Sequence, residues 1–222
     1  MSKRVEKGII CPKCNNNVIV NIWGSINISS DPSLIVKVKD GTLFAWQCPE
    51  CGYKVKLIYP CLYYDLNNKF MIYLIPLITN NNLEQLIINR EFQEFRGFNK
   101  RIVNSLEDLQ EKINIFEHGL LDNAIELTKL AFNKVLEDKN DCVVLKSYFS
   151  FSNKVSKNVH FRFILSNKQG ELHKFTKYEV YNKALDILRI ISPKYDEVRF
   201  IKINNSWAKQ AFEQYKSIDN NK

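Results

Sequence analysis

The sequence lacks an apolar segment of the length that a membrane-spanning helix needs, about 20 residues. Its longest apolar run, Phe70 to Ile78, is much shorter and contains Pro76. The first residues, Met1 to Lys7, are charged and lead into no apolar stretch, so we expect no signal peptide. These absences exclude the class of integral membrane proteins and predict a soluble chain with no membrane partner.

Motifs that identify common enzyme classes are also missing. The sequence has no glycine-rich phosphate loop, no nucleophile elbow and no His-x-x-x-His helix. Of the three histidines, His118 precedes a glycine at a predicted helix C-terminus, where its cation suits the helix dipole. If the turn at residues 167–170 sets the strand register, His173 faces Ile164, about 13 Å from His160 and too far for a shared metal. The sequence therefore favours a non-catalytic protein, and the alternative is an enzyme whose site carries no recognisable motif.

Four of the six cysteines form two C-x-x-C pairs, Cys11–Cys14 and Cys48–Cys51. Each tight turn directs two sulfurs to one point, and four thiolates are what a tetrahedral metal requires. Pro12 fixes the backbone after the first cysteine, and Gly52 permits the positive φ that such a metal-binding turn, or knuckle, often needs. Iron, as in rubredoxin-like electron carriers, is the alternative metal. The predicted ligands of one structural zinc ion are Cys11, Cys14, Cys48 and Cys51.

The other two cysteines, Cys61 and Cys142, lie among apolar residues. Free cysteines in such surroundings behave as small core side chains, so we predict no chemical role for either. Reduced C-x-x-C pairs fit a reducing compartment, where thiols bind metals instead of forming disulfides. The expected location is the cytoplasm.

The formal charge of +8 is unevenly distributed along the chain. Residues 1–81 carry nine Lys and Arg against five Asp and Glu, residues 82–140 carry eight against eleven, and residues 141–222 carry fifteen against eight. Basic ends are typical of proteins that bind phosphates, whereas a compositional bias toward Lys and Asn gives the same excess without a partner. The candidate nucleic-acid surface comprises Lys13, Lys37, Lys39, Lys54 and Lys56 with Trp23, Trp46 and Tyr53 as stacking groups.

The residues around the knuckles predict β structure. β-Branched and aromatic residues predict strands at 18–23, 25–28, 43–46 and 53–57, and at 62–66 and 69–74 around an Asn67-Asn68 turn. Asp31 and Pro32 predict the start of a short helix that ends at Gly41. Tyr64 and Asp65 are interpreted as a strand end and not as a polar site.

The middle of the chain predicts helices, because the apolar period changes from two to about 3.6. The first runs from Asn82 to Phe95. Ser105 opens the second, which ends at Gly119, and Asp122 caps the third. The residues predicted to face inward are Leu106, Leu109, Ile113 and Phe116 in the second helix and Ile125, Leu130 and Phe132 in the third.

The last third predicts a three-stranded meander followed by helices. The expected strands are 142–151, 158–165 and 171–175, with a further strand at 198–203. The expected helices are Tyr178 to Ile191 and a final one capped by Ser206. The predicted fold class is α+β, with a β-rich zinc-ribbon-like N-terminal lobe, a helical middle and a C-terminal antiparallel meander with flanking helices. The expected domains are 1–138 and 139–222.

Several residues outside the knuckles form one sequence pattern together with the two Cys-Pro-x-Cys motifs. This pattern covers roughly residues 8–135. The residues outside the knuckles are Pro60, Tyr63-Tyr64-Asp65, Phe70 to Tyr73, Glu111-Lys112-Ile113, Ile115-Phe116, Gly119-Leu120, Asp122, Ile125-Glu126-Leu127 and Lys129. With both Cys-Pro-x-Cys motifs, this pattern resembles the CpXC-domain proteins of bacteria and archaea. Asn15 stands where the first knuckle of that pattern could carry glycine, and Asn can also adopt positive φ.

The resemblance implies a zinc-binding module without an assigned activity, in a bacterial or archaeal protein. We therefore predict a non-catalytic module that binds a protein partner. The alternatives are a nucleic-acid-binding zinc ribbon, a rubredoxin-like iron protein and an unrecognised enzyme.

Overall fold

A computed structural model describes residues 1–76, 91–167, 170–191 and 199–219 of the chain. These residues form an α+β fold, as predicted. The strands are β1 (Lys3–Ile10), β2 (Asn17–Asn27), β3 (Ala45–Gln47), β4 (Lys54–Lys56), β5 (Cys61–Asp65), β6 (Phe70–Leu74), β7 (Asn99–Val103), β8 (Val144–Asn153), β9 (Asn158–Leu165) and β10 (Glu171–Lys177). The helices are α1 (Leu34–Lys39), α2 (Leu106–Glu117), α3 (Asp122–Asn140), α4 (Tyr178–Ile191) and α5 (Asn205–Asp219).

The described residues divide into two compact units. The division falls between Gln110 and Glu111, inside α2, and residues 199–201 belong with the first unit. The domain limits expected from the sequence, 1–138 and 139–222, stay a prediction. Within the described part of the chain, no helix combines the length and the apolar character that crossing a membrane requires.

The first unit contains a mixed five-stranded sheet in the order β1-β2-β5-β6-β7. β2 is a single strand where the sequence predicted two, and it pairs antiparallel with β1 and parallel with β5. β7 was not predicted. Its central residues Lys100 and Arg101 are both buried, and the Lys100 ammonium donates to the Phe92 carbonyl oxygen at 2.9 Å. Strands are predicted from apolar residues, and two adjacent basic residues in the middle of β7 interrupt that pattern although both are buried.

Two turn predictions in this unit need correction. α1 begins at Leu34, and the Asp31 carboxylate accepts the backbone N–H of Ser2 at 3.0 Å instead of capping the helix. The helix does end at Gly41, which has φ of 78°. In the turn after β5, the positive φ of 53° lies at Lys69 and not at the two asparagines.

The asparagine turn is nevertheless held by the residue that precedes it. The Asp65 carboxylate accepts the backbone N–H groups of Asn67 and Asn68 at 2.9 and 3.1 Å. This confirms the interpretation of Tyr64 and Asp65 as a strand end.

The helical middle is confirmed where the structure describes it; the predicted helix at residues 82–95 lies mostly outside the described residues. The Ser105 hydroxyl accepts the backbone N–H of Asp108 at 3.1 Å at the start of α2. Gly119 follows α2 with φ of 68°. All four predicted inward-facing residues of α2 are buried: Leu106, Leu109, Ile113 and Phe116.

Two predicted helix caps are one or two residues away from the true ones. Leu121 occupies the cap position of α3, and Asp122 is the first helical residue, with its carboxylate 3.1 Å from the Lys112 ammonium. At α5 the Asn204 side-chain oxygen accepts the Trp207 backbone N–H at 3.1 Å, so the cap is Asn204 and not Ser206.

The second unit is a three-stranded antiparallel sheet, order β10-β9-β8, with α3 and α4 packed against one face and α5 packed against these two helices. The predicted meander and the bounds of α4 are confirmed. The inner face of β9 presents Val159, Phe161, Phe163 and Leu165 to the helices. Of the strand predicted at 198–203, the described residues show one isolated bridge, between Ile201 and Arg101.

Candidate metal centre

The first knuckle lies in the turn between β1 and β2. The Cys11 carbonyl oxygen accepts the backbone N–H of Asn15 at 2.9 Å, and the Cys11 N–H donates to the Asn16 carbonyl oxygen at 3.0 Å. Asn15 has φ of 57°. The asparagine therefore adopts the left-handed conformation that the turn requires.

The second knuckle lies in the turn between β3 and β4 and repeats this geometry. The Cys48 carbonyl oxygen accepts the N–H of Gly52 at 3.0 Å, and the Cys48 N–H donates to the Tyr53 carbonyl oxygen at 2.8 Å. Gly52 has φ of 71°, as predicted. Each C-x-x-C pair is therefore held in the same backbone turn at the end of a two-stranded hairpin.

Apolar packing brings the two hairpins together. The buried residues Val18, Val20 and Ile22 of β2 contact Trp46 of β3 and Leu57, which follows β4. The 33 residues between Cys14 and Cys48 include α1, and this packing returns the chain to the first hairpin. The long spacing between the motifs is thus compatible with one site.

The four sulfur atoms of Cys11, Cys14, Cys48 and Cys51 lie within 4.8 Å of one another. Two of the distances are 3.7 Å, between Cys11 and Cys51, and 3.8 Å, between Cys14 and Cys48. A tetrahedron with metal–sulfur bonds of about 2.3 Å has sulfur–sulfur edges of about 3.8 Å. The group therefore has the size of a four-thiolate metal site.

The neighbouring thiols shift the pKa values of Cys11 and Cys14 in opposite directions. Burial opposes ionisation of Cys11, but the backbone N–H groups of Cys14 and Lys13 outweigh it and lower the pKa of Cys11 to about 6. The backbone N–H of Asn16 favours the Cys14 thiolate, whereas burial and the neighbouring cysteines raise the pKa of Cys14 to about 12. A cation among the sulfurs compensates the charge that otherwise prevents four adjacent thiolates from forming.

The remaining cysteines stand apart from this group. Cys61 is completely buried on β5, as expected of a core thiol, and burial raises its pKa to about 12. Cys142 is half-buried and packs against the core of the second unit. Within the described residues, the four-cysteine group is the one set of three or more Cys, His, Asp and Glu side chains with metal-site dimensions.

The three histidines lie outside the four-cysteine group and contact other residues. His118 Nδ1 lies 2.8 Å from the Asn114 carbonyl oxygen. The predicted strand register is wrong by two residues: His173 faces Arg162 and not Ile164. The His160 ring stacks on Phe151, which explains its position without a metal.

The basic residues predicted for a nucleic-acid surface are exposed, but two of the predicted stacking rings are engaged elsewhere. The Arg4 guanidinium lies 4.3 Å from the centre of the Trp23 ring, and Trp46 packs into the hairpin interface. Tyr53 is half-buried. The exposed lysines of that prediction are Lys13, Lys37, Lys39, Lys54 and Lys56.

A second feature, a buried ionic cluster in the second unit, was not predicted as a site. The Lys112 ammonium lies 3.1 Å from the Asp122 carboxylate and 3.2 Å from Glu126 Oε1. The Lys129 ammonium lies 2.9 Å from the same Glu126 oxygen and 3.0 Å from Glu111. In the sequence these residues belonged to the family pattern, but nothing indicated that they meet.

The ionic cluster joins α2 to α3 and to the sheet. Three carboxylates face two ammonium groups, and all five side chains are buried. The backbone N–H of Phe149 on β8 also donates to Glu111, at 2.6 Å. Buried charges are stable only when they are paired in this way.

A family model described as CpXC protein matches residues 9–129. The match includes all four cysteines of the metal centre and all five members of the ionic cluster. Searches of curated proteins and of solved structures found no match to the chain.

Proposed function

This chain belongs to the CpXC family, and we propose that its four cysteines hold one structural zinc ion in a non-catalytic module that binds a protein partner. The observation that supports the metal is the set of sulfur–sulfur distances of 3.7 and 3.8 Å between the two knuckles. Four cysteine ligands complete a tetrahedral zinc site, whereas catalytic zinc sites keep one position open for water or substrate. The proposed ion is therefore structural, in a reducing cytoplasm that keeps its ligands as thiolates.

When bound, zinc supplies coordination bonds that link the two hairpins. Cys11 and Cys14 fix the β1–β2 turn, and Cys48 and Cys51 fix the β3–β4 turn. Because such sites form only when their ligands are assembled, metal binding and local folding are coupled. The module is expected to loosen when the metal is removed.

Two exposed isoleucines beside the first knuckle support a protein partner. Ile10 and Ile19 are 68% and 73% exposed. Ile19 pairs with Gly8, which shares a strand face with Ile10, so the two side chains lie on the same outer face of the hairpin. Apolar side chains grouped on a surface are typical of contacts between proteins.

Elemental analysis of the purified protein tests the metal. We expect one zinc per chain, and loss of the zinc in Cys48→Ser. Cys61→Ser is the matched control, because it removes a cysteine outside the group and should keep the metal. A visible thiolate–iron absorption band, or full zinc occupancy in Cys48→Ser, contradicts the proposal.

Affinity purification from the native cell tests the interface. A double Ile10→Ser, Ile19→Ser variant should lose a partner that the parent chain retains, with unchanged zinc content. Val36→Ser is the control, because Val36 is 64% exposed and belongs to α1 and not to the β1–β2 hairpin. Equal loss of the partner in the control contradicts a role for the two isoleucines.

A further inference from the structure

Among the described residues, the helices of the second unit pack against one face of its sheet, and the other face carries the exposed rings of Phe151 and Phe175. We define the outer sheet face by the outward side chains of two neighbouring rows, which cross all three strands. One row is Tyr148, Arg162 and His173, and the other is Phe151, His160 and Phe175. The inner residues of β9 alternate with these and pack against the helices.

The second row is an exposed band of aromatic rings. The Phe151 and His160 rings are stacked with their centres 4.0 Å apart, and the Phe175 ring lies 5.4 Å from His160. Phe151 is 46% exposed and Phe175 is 56% exposed. Large aromatic side chains are costly to leave in water, so such a band favours a ligand that covers it.

The first row adds a planar cation. The Arg162 guanidinium lies 4.7 Å from the centre of the Tyr148 ring and is also paired with Glu171 at 2.6 Å. The ring and the carboxylate together fix the position of the guanidinium on the sheet. Aromatic rings and guanidinium planes are the groups on which unpaired nucleic-acid bases stack.

A basic cavity continues the outer sheet face at one end. Lys177 and Asn158 face each other in the next row after Phe175 and His160, and both line the cavity. It has a volume of about 600 Å³. Its other lining residues are Lys154, Ser156, Lys157, Tyr178, Glu179 and Asn182. Three lysines against one glutamate favour an anionic ligand.

We propose that the outer sheet face and the lysine cavity together bind single-stranded nucleic acid. The bases stack on Phe151, Phe175 and the Arg162 plane, and the phosphates lie at Lys154, Lys157 and Lys177. Charge complementarity favours this occupant over an apolar protein surface, because residues 141–222 carry fifteen basic against eight acidic side chains. A single strand is required, since bases inside a duplex cannot reach the rings. The site is separate from the four cysteines, so it does not rest on the proposed metal.

Fluorescence anisotropy of the full-length protein with labelled 12-nucleotide probes tests this proposal. The probes are single-stranded RNA, single-stranded DNA and double-stranded RNA of mixed sequence, each at about 50 and about 200 mM salt. We expect the single strands to bind and the duplex to bind at least tenfold more weakly. Equal or tighter binding of the duplex, or no binding of any probe at about 50 mM salt, overturns the proposal.

Phe175→Leu separates base stacking from general apolar contact. Leucine keeps an apolar side chain at this exposed position but removes the ring, so single-strand affinity should fall about fivefold or more. Unchanged thermal unfolding shows that the variant is folded. Affinity equal to that of the parent chain overturns base stacking at this site.

A matched pair of triple variants tests the phosphate contacts. Lys154→Gln, Lys157→Gln, Lys177→Gln should flatten the slope of log affinity against log salt by about 2, because each single-strand phosphate contact contributes about 0.7. The control removes three exposed lysines from the helices on the other side of the sheet: Lys134→Gln, Lys139→Gln, Lys209→Gln. Equal effects of the two triple variants show that only net charge matters and overturn the proposed site.

Discussion

The ammonium group of Lys129 lies 3.0 and 3.1 Å from the two carboxylate oxygens of Glu111, inside the buried ionic cluster. This contact joins α3 to α2, and Glu111 in turn accepts an N–H from the sheet. Both charges are removed from water, so each depends on the other for compensation. The two ends of this contact are nevertheless expected to respond differently to substitution.

Lys129→Met should destabilise the protein strongly. It leaves three buried carboxylates facing one ammonium group, and breaking a buried pair in this way costs about 3–5 kcal/mol. Glu111→Gln should cost less, since it leaves two carboxylates and two ammonium groups and keeps an oxygen for the Phe149 N–H. Urea unfolding followed by circular dichroism measures both. The control is Lys216→Met, at an exposed pair with Glu213, with an expected cost of at most about 1 kcal/mol. Equal costs for Lys129→Met and Glu111→Gln would contradict this explanation.

The stability difference between the parent chain and Glu111→Gln should depend on pH. Burial raises the pKa of Glu111 above its usual value of 4.5, although Lys129 opposes this shift. A carboxyl group with a raised pKa holds its proton more tightly in the folded state, so its contribution is present at low pH and is lost as pH rises through the folded pKa.

Urea unfolding of both proteins at about pH 4, pH 5.5 and pH 7 measures this dependence. The stability of the parent chain relative to Glu111→Gln should decrease from the lowest to the highest pH. An increase over the same range would show that folding lowers the pKa of this carboxyl group.

Substitutions at Gly52 should distinguish the cost of backbone strain at positive φ from the cost of a steric clash. Gly52→Ala should lower the free energy of unfolding by about 1–2 kcal/mol, because φ is 71° and alanine is strained there. An added Cβ would meet Gln47 Nε2 at an ordinary 3.7 Å, so no clash contributes. Gly52→Asn should cost less, since Asn15 occupies the equivalent position of the first knuckle at φ of 57°. Urea unfolding of the metal-loaded variants checks the order, which equal costs would contradict.

The six cysteines should differ in how readily a thiol-alkylating reagent modifies them. At about pH 8, iodoacetamide should leave Cys61 unmodified in the folded protein, because it is completely buried and burial raises its pKa to about 12. The half-buried Cys142 should react first. A chelator should expose the four cysteines of the metal centre to alkylation and leave Cys61 protected. Mass spectrometry of tryptic peptides identifies each site, and early modification of Cys61 would contradict its burial in solution.

The grouping of the four cysteines could be predicted from the sequence because its determinants are local. Each C-x-x-C pair forms one tight turn, and the residue at positive φ follows the second cysteine directly. The helix α4 could be predicted for the same reason, since a stripe of apolar residues at helical spacing indicates both the helix and its buried face.

Features that depend on distant partners were missed. β7 is stabilised by pairing with β6 and contains Lys100 and Arg101, which look like surface residues in the sequence. The register of β10 against β9 was wrong by two residues, since turn length was its only local guide. Asp122 was interpreted as a helix cap because nothing in the sequence pairs it with Lys112.

The sequence by itself determined the four cysteines of the candidate metal centre, the α+β class and most helices and strands, because residue spacing and backbone preference act over a few positions. Only the tertiary structure decided that five charged residues form one buried cluster, and that rings from three strands lie side by side on one sheet face. A charged side chain in a sequence predicts exposure, and only packing supplies the opposite charges that make burial possible. In the same way, an aromatic residue in a sequence predicts a core position. Only the packing of the helices on the opposite face shows that Phe151 and Phe175 are exposed.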